Sequence, residues 1–189
     1  MTPIVSGRLI LRNWEDRDRE LFHLINSDER VMEFYPFRLS RAEADNLLDK
    51  WRRELDDTGL GLFAIELAES GACMGYCGVK HPNVMPHLPK ETIEIGWRLA
   101  PSFWGRGYVT EAAAQMLRYG FETIGLPEIV SFAVGANRRS TAVMQRLGMR
   151  RDEESDFDHP RVPETHPHLK RHVVYRLAAE DWRRGRTAG

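Results

Sequence analysis

The sequence predicts an α/β fold built on a mixed sheet. Three observations carry this. Long stretches place apolar residues at helical spacing, and short apolar runs stand between them. Only the middle of the chain, 91–147, has the strand–helix–strand–helix rhythm of parallel units. Earlier, 60–68 and 73–81 read as two strands about the turn "ESGA", which marks an antiparallel hairpin.

The elements follow in order. "RLILRNW" (8–14) reads as a first strand. "DRDRELFHLINSD" (16–28) carries Leu21, Leu24 and Ile25 on one helical face. A short second helix is expected over 27–36, stopped ahead of Pro36. The next helix, 39–55, opens on Ser40 and Glu43, a capping-box pair, and its apolar face is Ala44, Leu47, Leu48, Trp51 and Leu55. After the hairpin, three prolines make 82–90 a loop, and 91–101 is a strand ending before Pro101.

The helix that follows shows Ala113, Met116, Leu117, Gly120, Phe121 and Ile124 on one face, with Gly125 and Pro127 as its stop. "EIVSFAV" (128–134) is a strand. "NRRSTAVMQRLGM" (137–149) is a short helix with Asn137 as N-cap and Gly148 beyond its end. Strands are expected at 149–157 and 172–178, separated by a Pro- and His-rich loop over 158–171. A frayed basic tail is expected over 181–189.

Bulk properties narrow the function. A chain of 189 residues predicts one domain with a core needing no staples. The 27 basic and 28 acidic residues leave a net charge of −1, which argues against a nucleic-acid binder. No run approaches the roughly 18 apolar residues of a membrane span. The first residues lack a signal-peptide layout, so a cytoplasmic protein is expected. Two cysteines, Cys73 and Cys77, make no disulfide framework.

The stretch "SFWGRGYVTEAAAQML" (102–117) is the most informative. It sets Gly105-Arg106-Gly107 between the carboxyl end of a strand and a helix start. A helix N-terminus offers unpartnered N–H groups and a positive dipole end. Glycines let backbone approach a ligand, so the turn reads as an anion seat, with a plain tight turn as the alternative. The P-loop and dinucleotide fingerprints are both absent.

Together, "EIGWRLAPSFWGRGYVTEAAAQML" and "ANRRSTAVMQRLGM" resemble the GCN5-related N-acetyltransferases (GNAT). The branch they resemble most is typified by ribosomal-protein N-terminal (alanine) acetyltransferases. The resemblance implies a mixed, centrally splayed sheet flanked by helices and acetyl-CoA as co-substrate, with no metal. It implies that Trp104, Gly105, Arg106, Gly107, Tyr108, Val109 and Thr110 hold the pyrophosphate of coenzyme A, mainly through backbone amides. Trp104 and Val109 depart from the family's Q/R-x-x-G-x-G/A pattern. The strand with Trp97, Arg98 and Leu99 would pair with the pantetheine arm, and Asn137 would contact it too. Arg138, Arg139 and Arg146 are candidates for the 3′-phosphate.

Transfer to an amine needs a base, donors for the tetrahedral oxyanion, and help for the departing thiolate. Glu94 is the candidate base, with an exposed strand carboxylate as its bland alternative and Glu91 as fallback. A backbone N–H near Trp97 or Arg98 would serve the oxyanion. The family's usual acid, a tyrosine in the second helix, aligns with Met144, so Ser140 becomes the candidate for hydrogen bonding the thiolate. Phe34, Tyr35, Phe37 and Trp51 sit where relatives cover the acceptor, and Glu164 in the His-rich loop is a candidate to attract an amine.

Other features weigh less. Cys73, Cys77 and His81 on one strand span about 26 Å, too far for one ion. His159, His166 and His168 read as members of a solvated loop. The leading function is an acetyl-CoA-dependent N-acetyltransferase acting on a small amine or a protein N-terminus. A catalytically silent acyl-CoA sensor and a nucleotide-binding protein of another fold are the alternatives, and a homodimer is left open.

Overall fold

The computed structural model describes residues 2–82, 88, 89 and 91–187. Most of the Pro-rich loop and the last two residues of the expected tail lie outside them. The strands are β1 (Ile4–Val5), β2 (Leu9–Arg12), β3 (Gly61–Leu67), β4 (Cys73–Lys80), β5 (Glu94–Leu99), β6 (Glu128–Val134), β7 (Arg150–Asp158) and β8 (Arg171–Ala178). The helices are α1 (Arg19–Ser27), α2 (Arg41–Thr58), α3 (Tyr108–Arg118), α4 (Arg138–Arg146) and α5 (Ala179–Thr187). The strands are hydrogen-bonded in the order β1-β2-β3-β4-β5-β6-β8-β7. This is the mixed, open α/β sheet expected. The chain groups into two compact units, Met1–Val79 with Gly96–Gln115, and Lys80–Ile95 with Met116–Gly189.

In the first unit β1 to β4 form an antiparallel meander, with Leu9 opposite Leu67 and Phe63 opposite Cys77. Gly78 is required there, because a Cβ on it would lie 1.9 Å from the Gly61 carbonyl oxygen. The capping box on α2 is present as read: Ser40 and Glu43 exchange hydrogen bonds, and Gly59 closes the helix at φ 70°. Ala44, Leu48 and Leu55 are buried with Phe22 and Ile25 of α1.

A polar cluster supports this core. The Arg12 guanidinium, 7 % exposed, meets Asp18 at 2.7 Å and Glu66 at 2.7 Å. The helix expected over 27–36 is absent, and turns stand in its place. Asp28 is the reason. Its side chain accepts from the Arg30 amide, a local bond that competes with the helical ladder, and its backbone is extended at ψ 126°.

In the second unit β6 pairs antiparallel with β8 over seven residue pairs, and β8 pairs with β7. Val130, Phe157 and Val174 form its buried centre. The parallel ladder between β5 and β6 is a single register pair, Glu94 with Val130. Next to it the Ser131 hydroxyl donates to the Ile95 carbonyl at 3.0 Å. A π-helical turn, Tyr119–Ile124, continues α3 and stops at Gly125, φ 79°. A Cβ on Gly120 would meet the Ile129 Cδ1 at 2.7 Å, so a small residue lets this turn pack on β6.

Two expectations change in this unit. The stretch read as a frayed tail is helical from Ala179 to Thr187, anchored where the Ala179 amide donates to the Pro127 carbonyl at 2.9 Å. Within the 158–171 loop, Pro167–Leu169 form one 3₁₀ turn around buried Leu169.

Candidate active site

The glycine turn is built as an anion seat requires. Gly105 and Gly107 have φ of 74° and 78°, the left-handed region that disfavours side chains. The first helical hydrogen bond of α3 runs from the Glu111 amide to the Gly107 carbonyl at 3.1 Å, so the amides of Tyr108, Val109 and Thr110 precede the ladder. Gly105, Arg106 and Gly107 are exposed, whereas Tyr108 is buried.

Trp104, where the family pattern has Gln or Arg, braces the turn. Its indole N–H donates to the Leu99 carbonyl at 2.8 Å, joining the turn to the strand it leaves. On the other flank, Arg8 from the N-terminal segment donates to the Arg106 carbonyl at 3.3 Å and pairs with Glu111 at 2.7 Å. Its guanidinium also covers the Tyr108 ring, 4.7 Å from the centroid. Glu111 accepts from the Arg8 amide and the Ser6 hydroxyl as well. Burial pushes its carboxyl up, yet these donors hold it below the usual range. Arg8 is not among the residues expected at this turn. The one signal for it is the acid at 111, which needs a cation near an anion seat.

The edges of β5 separate its backbone groups. The Ala100 amide donates to the Met74 carbonyl at 2.9 Å, so it faces β4. The Arg98 carbonyl is on that same side, since a Cβ on Gly75 would lie 2.1 Å from it. Backbone groups alternate along a strand, which puts those of Trp97 and Leu99 on the edge away from β4. Leu99 buries its side chain at 3 % exposure. Arg98 departs from the expectation: its backbone is turned to β4, and its side chain joins aromatic residues.

That aromatic group lies wholly in the first unit. Trp51 packs edge-on against Phe22 and Tyr76, with ring centroids 5.2 and 5.1 Å away. Trp14 joins them and anchors its indole N–H on the Leu62 carbonyl at 2.7 Å. Trp51 is thus a packing residue first. Phe34 is half-buried, whereas Tyr35 and Phe37 are exposed neighbours.

In the second unit Glu94 is not the exposed carboxylate its bland alternative required. It is 7 % exposed and meets the Lys80 ammonium at 2.7 Å. Burial pushes its carboxyl up, and the neighbouring Lys80 offsets this only in part. Glu91, the fallback, is exposed. Asn137 caps α4, its side-chain oxygen accepting from the Ser140 amide at 3.1 Å. Ser140 is half-buried in that first turn. Met144 is core at 1 % exposure, and Arg146 is exposed in the last turn. Glu164 is an exposed loop acid paired with Lys170, which leaves its charge compensated.

Cys77 is fully buried, and burial pushes the Cys73 thiol up to about 12, so neither is a thiolate near neutrality. Among the described residues no group of three His, Cys, Asp or Glu is placed to hold a metal ion, and no helix is long and apolar enough to cross a membrane.

The family profile described as "Acetyltransferase (GNAT) domain" matches residues 8–150, a span that includes Arg8, Glu94, the glycine turn and Asn137. Over 150 residues the chain is 31% identical to the Uncharacterized protein YkkB of Bacillus subtilis (strain 168), covering 78% of this chain and 85% of that one. It is 28% identical over 150 residues to the Uncharacterized N-acetyltransferase YnaD of the same organism, covering 79% and 83%. A solved GNAT-family acetyltransferase from Bacillus anthracis aligns with a TM-score of 0.77 at 26% identity, over 95% of this chain and 99% of that chain. The chain belongs to the GNAT acetyltransferase family and is an N-acetyltransferase.

Proposed function

We propose that this enzyme transfers the acetyl group of acetyl-CoA to a primary amine by direct attack of the amine on the thioester. One observation carries the reading: the left-handed Gly105–Gly107 turn opens the first amides of α3 beside the Arg8 cation. Backbone donors and a positive helix end suit a pyrophosphate, and Arg8 offsets the Glu111 carboxylate that would otherwise repel it. The amides of residues 105–110 hold that group, while Trp104 shapes the turn instead of touching the donor. The outward backbone groups of Trp97 and Leu99 pair with the amide-bearing pantetheine arm. Asn137, Ser140 and Arg146 contribute from α4.

In the reaction the amine nitrogen attacks the thioester carbonyl carbon, and the carbonyl oxygen takes up negative charge. The Trp97 N–H is the donor for that oxyanion. The carbon–sulfur bond then breaks, and the acetyl group stays on nitrogen. Glu94 accepts the amine proton, directly or through a water. Its burial makes it a stronger base than a solvated carboxylate. The Ser140 hydroxyl hydrogen-bonds the departing thiolate, since Met144 has no proton to give. Tyr35, Phe34 and the edge of Trp51 face the acceptor.

The test follows free thiol on incubating the protein with acetyl-CoA and a panel of primary amines. Amine-dependent thiol release is expected. Binding of acetyl-CoA with no turnover on any acceptor supports the silent sensor instead. Stabilisation by ATP or NAD but not by acetyl-CoA overturns the donor assignment.

A further inference from the structure

Two arginines are built into the first unit, and they are treated oppositely. Arg12 is neutralised by Asp18 and Glu66. Arg98 has no carboxylate partner among the described residues. Its Nη1 donates to the Asn26 side-chain oxygen at 2.5 Å, and its Nε is buried with no hydrogen-bond partner. Its guanidinium carbon stands 4.3 Å from the Tyr35 ring centroid and 5.4 Å from that of Tyr76. Asn26, itself 3 % exposed, is locked by donating its amide to the Phe22 carbonyl at 2.7 Å, so its oxygen stays turned to the guanidinium.

A half-buried cation with a buried, idle donor is costly unless something completes it. Neutral oxygen and aromatic faces stabilise a guanidinium in part, but they leave its net charge unmatched. Tyr35, 41 % exposed, and Phe37, 55 % exposed, lie at the outer side of this group, with their rings 6.3 Å apart. The arrangement is a positive charge held under an accessible aromatic rim. We infer that Arg98 is a specificity residue that binds a carboxylate on the acetyl acceptor, so the acceptor class is amino-acid-like: a primary amine carrying a carboxylate and an apolar body. A guanidinium edge matches a carboxylate in plane and with two donors, which an ammonium cannot do. This rests on the acetyl-transfer reading for its chemistry, but the binding of the carboxylate stands apart from turnover.

The experiment uses three probes of one skeleton: phenylalanine, phenylalaninamide and phenethylamine. For the full chain with acetyl-CoA, calorimetric binding and kcat/KM are measured for each. Phenylalanine is expected to be preferred over both carboxylate-free probes by about 10- to 100-fold, the size of a charge-assisted hydrogen bond. Arg98→Gln is expected to collapse that preference towards one, while acetyl-CoA affinity stays as in the parent. Should Arg98→Gln fail to fold, Arg98→Lys decides, since it keeps the charge and loses the planar fork; its preference is expected to fall. Equal binding of the three probes by the parent, no binding of phenylalanine, or an unchanged preference in either variant overturns the proposal. Arg98-dependent binding of phenylalanine without acetylation of any probe upholds the carboxylate site and counts against the acetyl-transfer reading alone.

Discussion

The Glu94 carboxylate lies 2.7 Å from the Lys80 ammonium while its own side chain is nearly removed from solvent. That pairing separates two roles for Glu94, proton acceptor and structural partner. Replacing it with glutamine keeps the shape and removes the base. If Glu94 takes the amine proton, Glu94→Gln lowers kcat by about 10²- to 10⁴-fold with acetyl-CoA affinity intact. The parent's rate falls as pH drops through a pKa raised above the ordinary carboxylate range, and the variant loses that limb. An unchanged kcat assigns the residue to holding Lys80.

The glycine turn makes a different kind of prediction. No atom crowds a Cβ at Gly105, and at Gly107 the nearest is the Arg8 Nη2 at 3.8 Å. The obstacle to substitution is therefore the left-handed backbone alone, about 1–2 kcal/mol per residue. Gly107→Ala is expected to fold and to bind acetyl-CoA about tenfold more weakly, as the turn relaxes away from the seat. Calorimetry on the variant checks this, and parental affinity would sink the phosphate-seat assignment.

Arg12 tests the cost of breaking a buried network. Arg12→Leu leaves Asp18, 1 % exposed, and Glu66 without their shared cation. Urea unfolding is expected to show a loss of about 3–5 kcal/mol. Arg41→Leu, which breaks exposed pairs to Glu20 and Asp45, is expected to change stability by less than about 1 kcal/mol.

His159 carries the pH prediction. Its ring lies 4.8 Å from that of His172, and burial, then the charges of His172 and Arg161, lower its pKa to about 4. Folding thus favours the neutral imidazole. Its contribution is intact above the unfolded value near 6.5 and is lost as pH falls from there to about 4, because the unfolded chain then binds the extra proton. The melting temperature is expected to decline over that window less steeply in His159→Gln than in the parent. Parallel pH profiles would show that the ring is solvated.

Much of the fold was legible because it follows from local rules. The Ser40–Glu43 box, the Asn137 cap and the glycine stops at 125 and 148 are decided by neighbours in sequence, and each is where the pattern puts it. The glycine turn was legible for the same reason. The two-residue β1 is too short to carry an alternation. The helix read over 27–36 lost to a side-chain bond of Asp28, which helical spacing does not register. Arg8 and Asn26 act on partners 98 or more and 72 residues away, so no spacing rule reaches them. Arg98 was read for its backbone, while its side chain carries the distinctive environment.

Arg8 also bears on how much of the glycine turn is self-contained. Glu111 is a negative charge in the first turn of the helix whose N-terminal amides the glycine turn leaves open, and Arg8 cancels it. The segment that looks like a portable phosphate motif is therefore incomplete. Grafted elsewhere as residues 102–117 alone, it would bring its own repulsive carboxylate. The charge balance of this turn is complete only once the N-terminal segment carrying Arg8 has docked, so on the proposed reading acetyl-CoA would be a ligand of the assembled unit and not of its glycine loop.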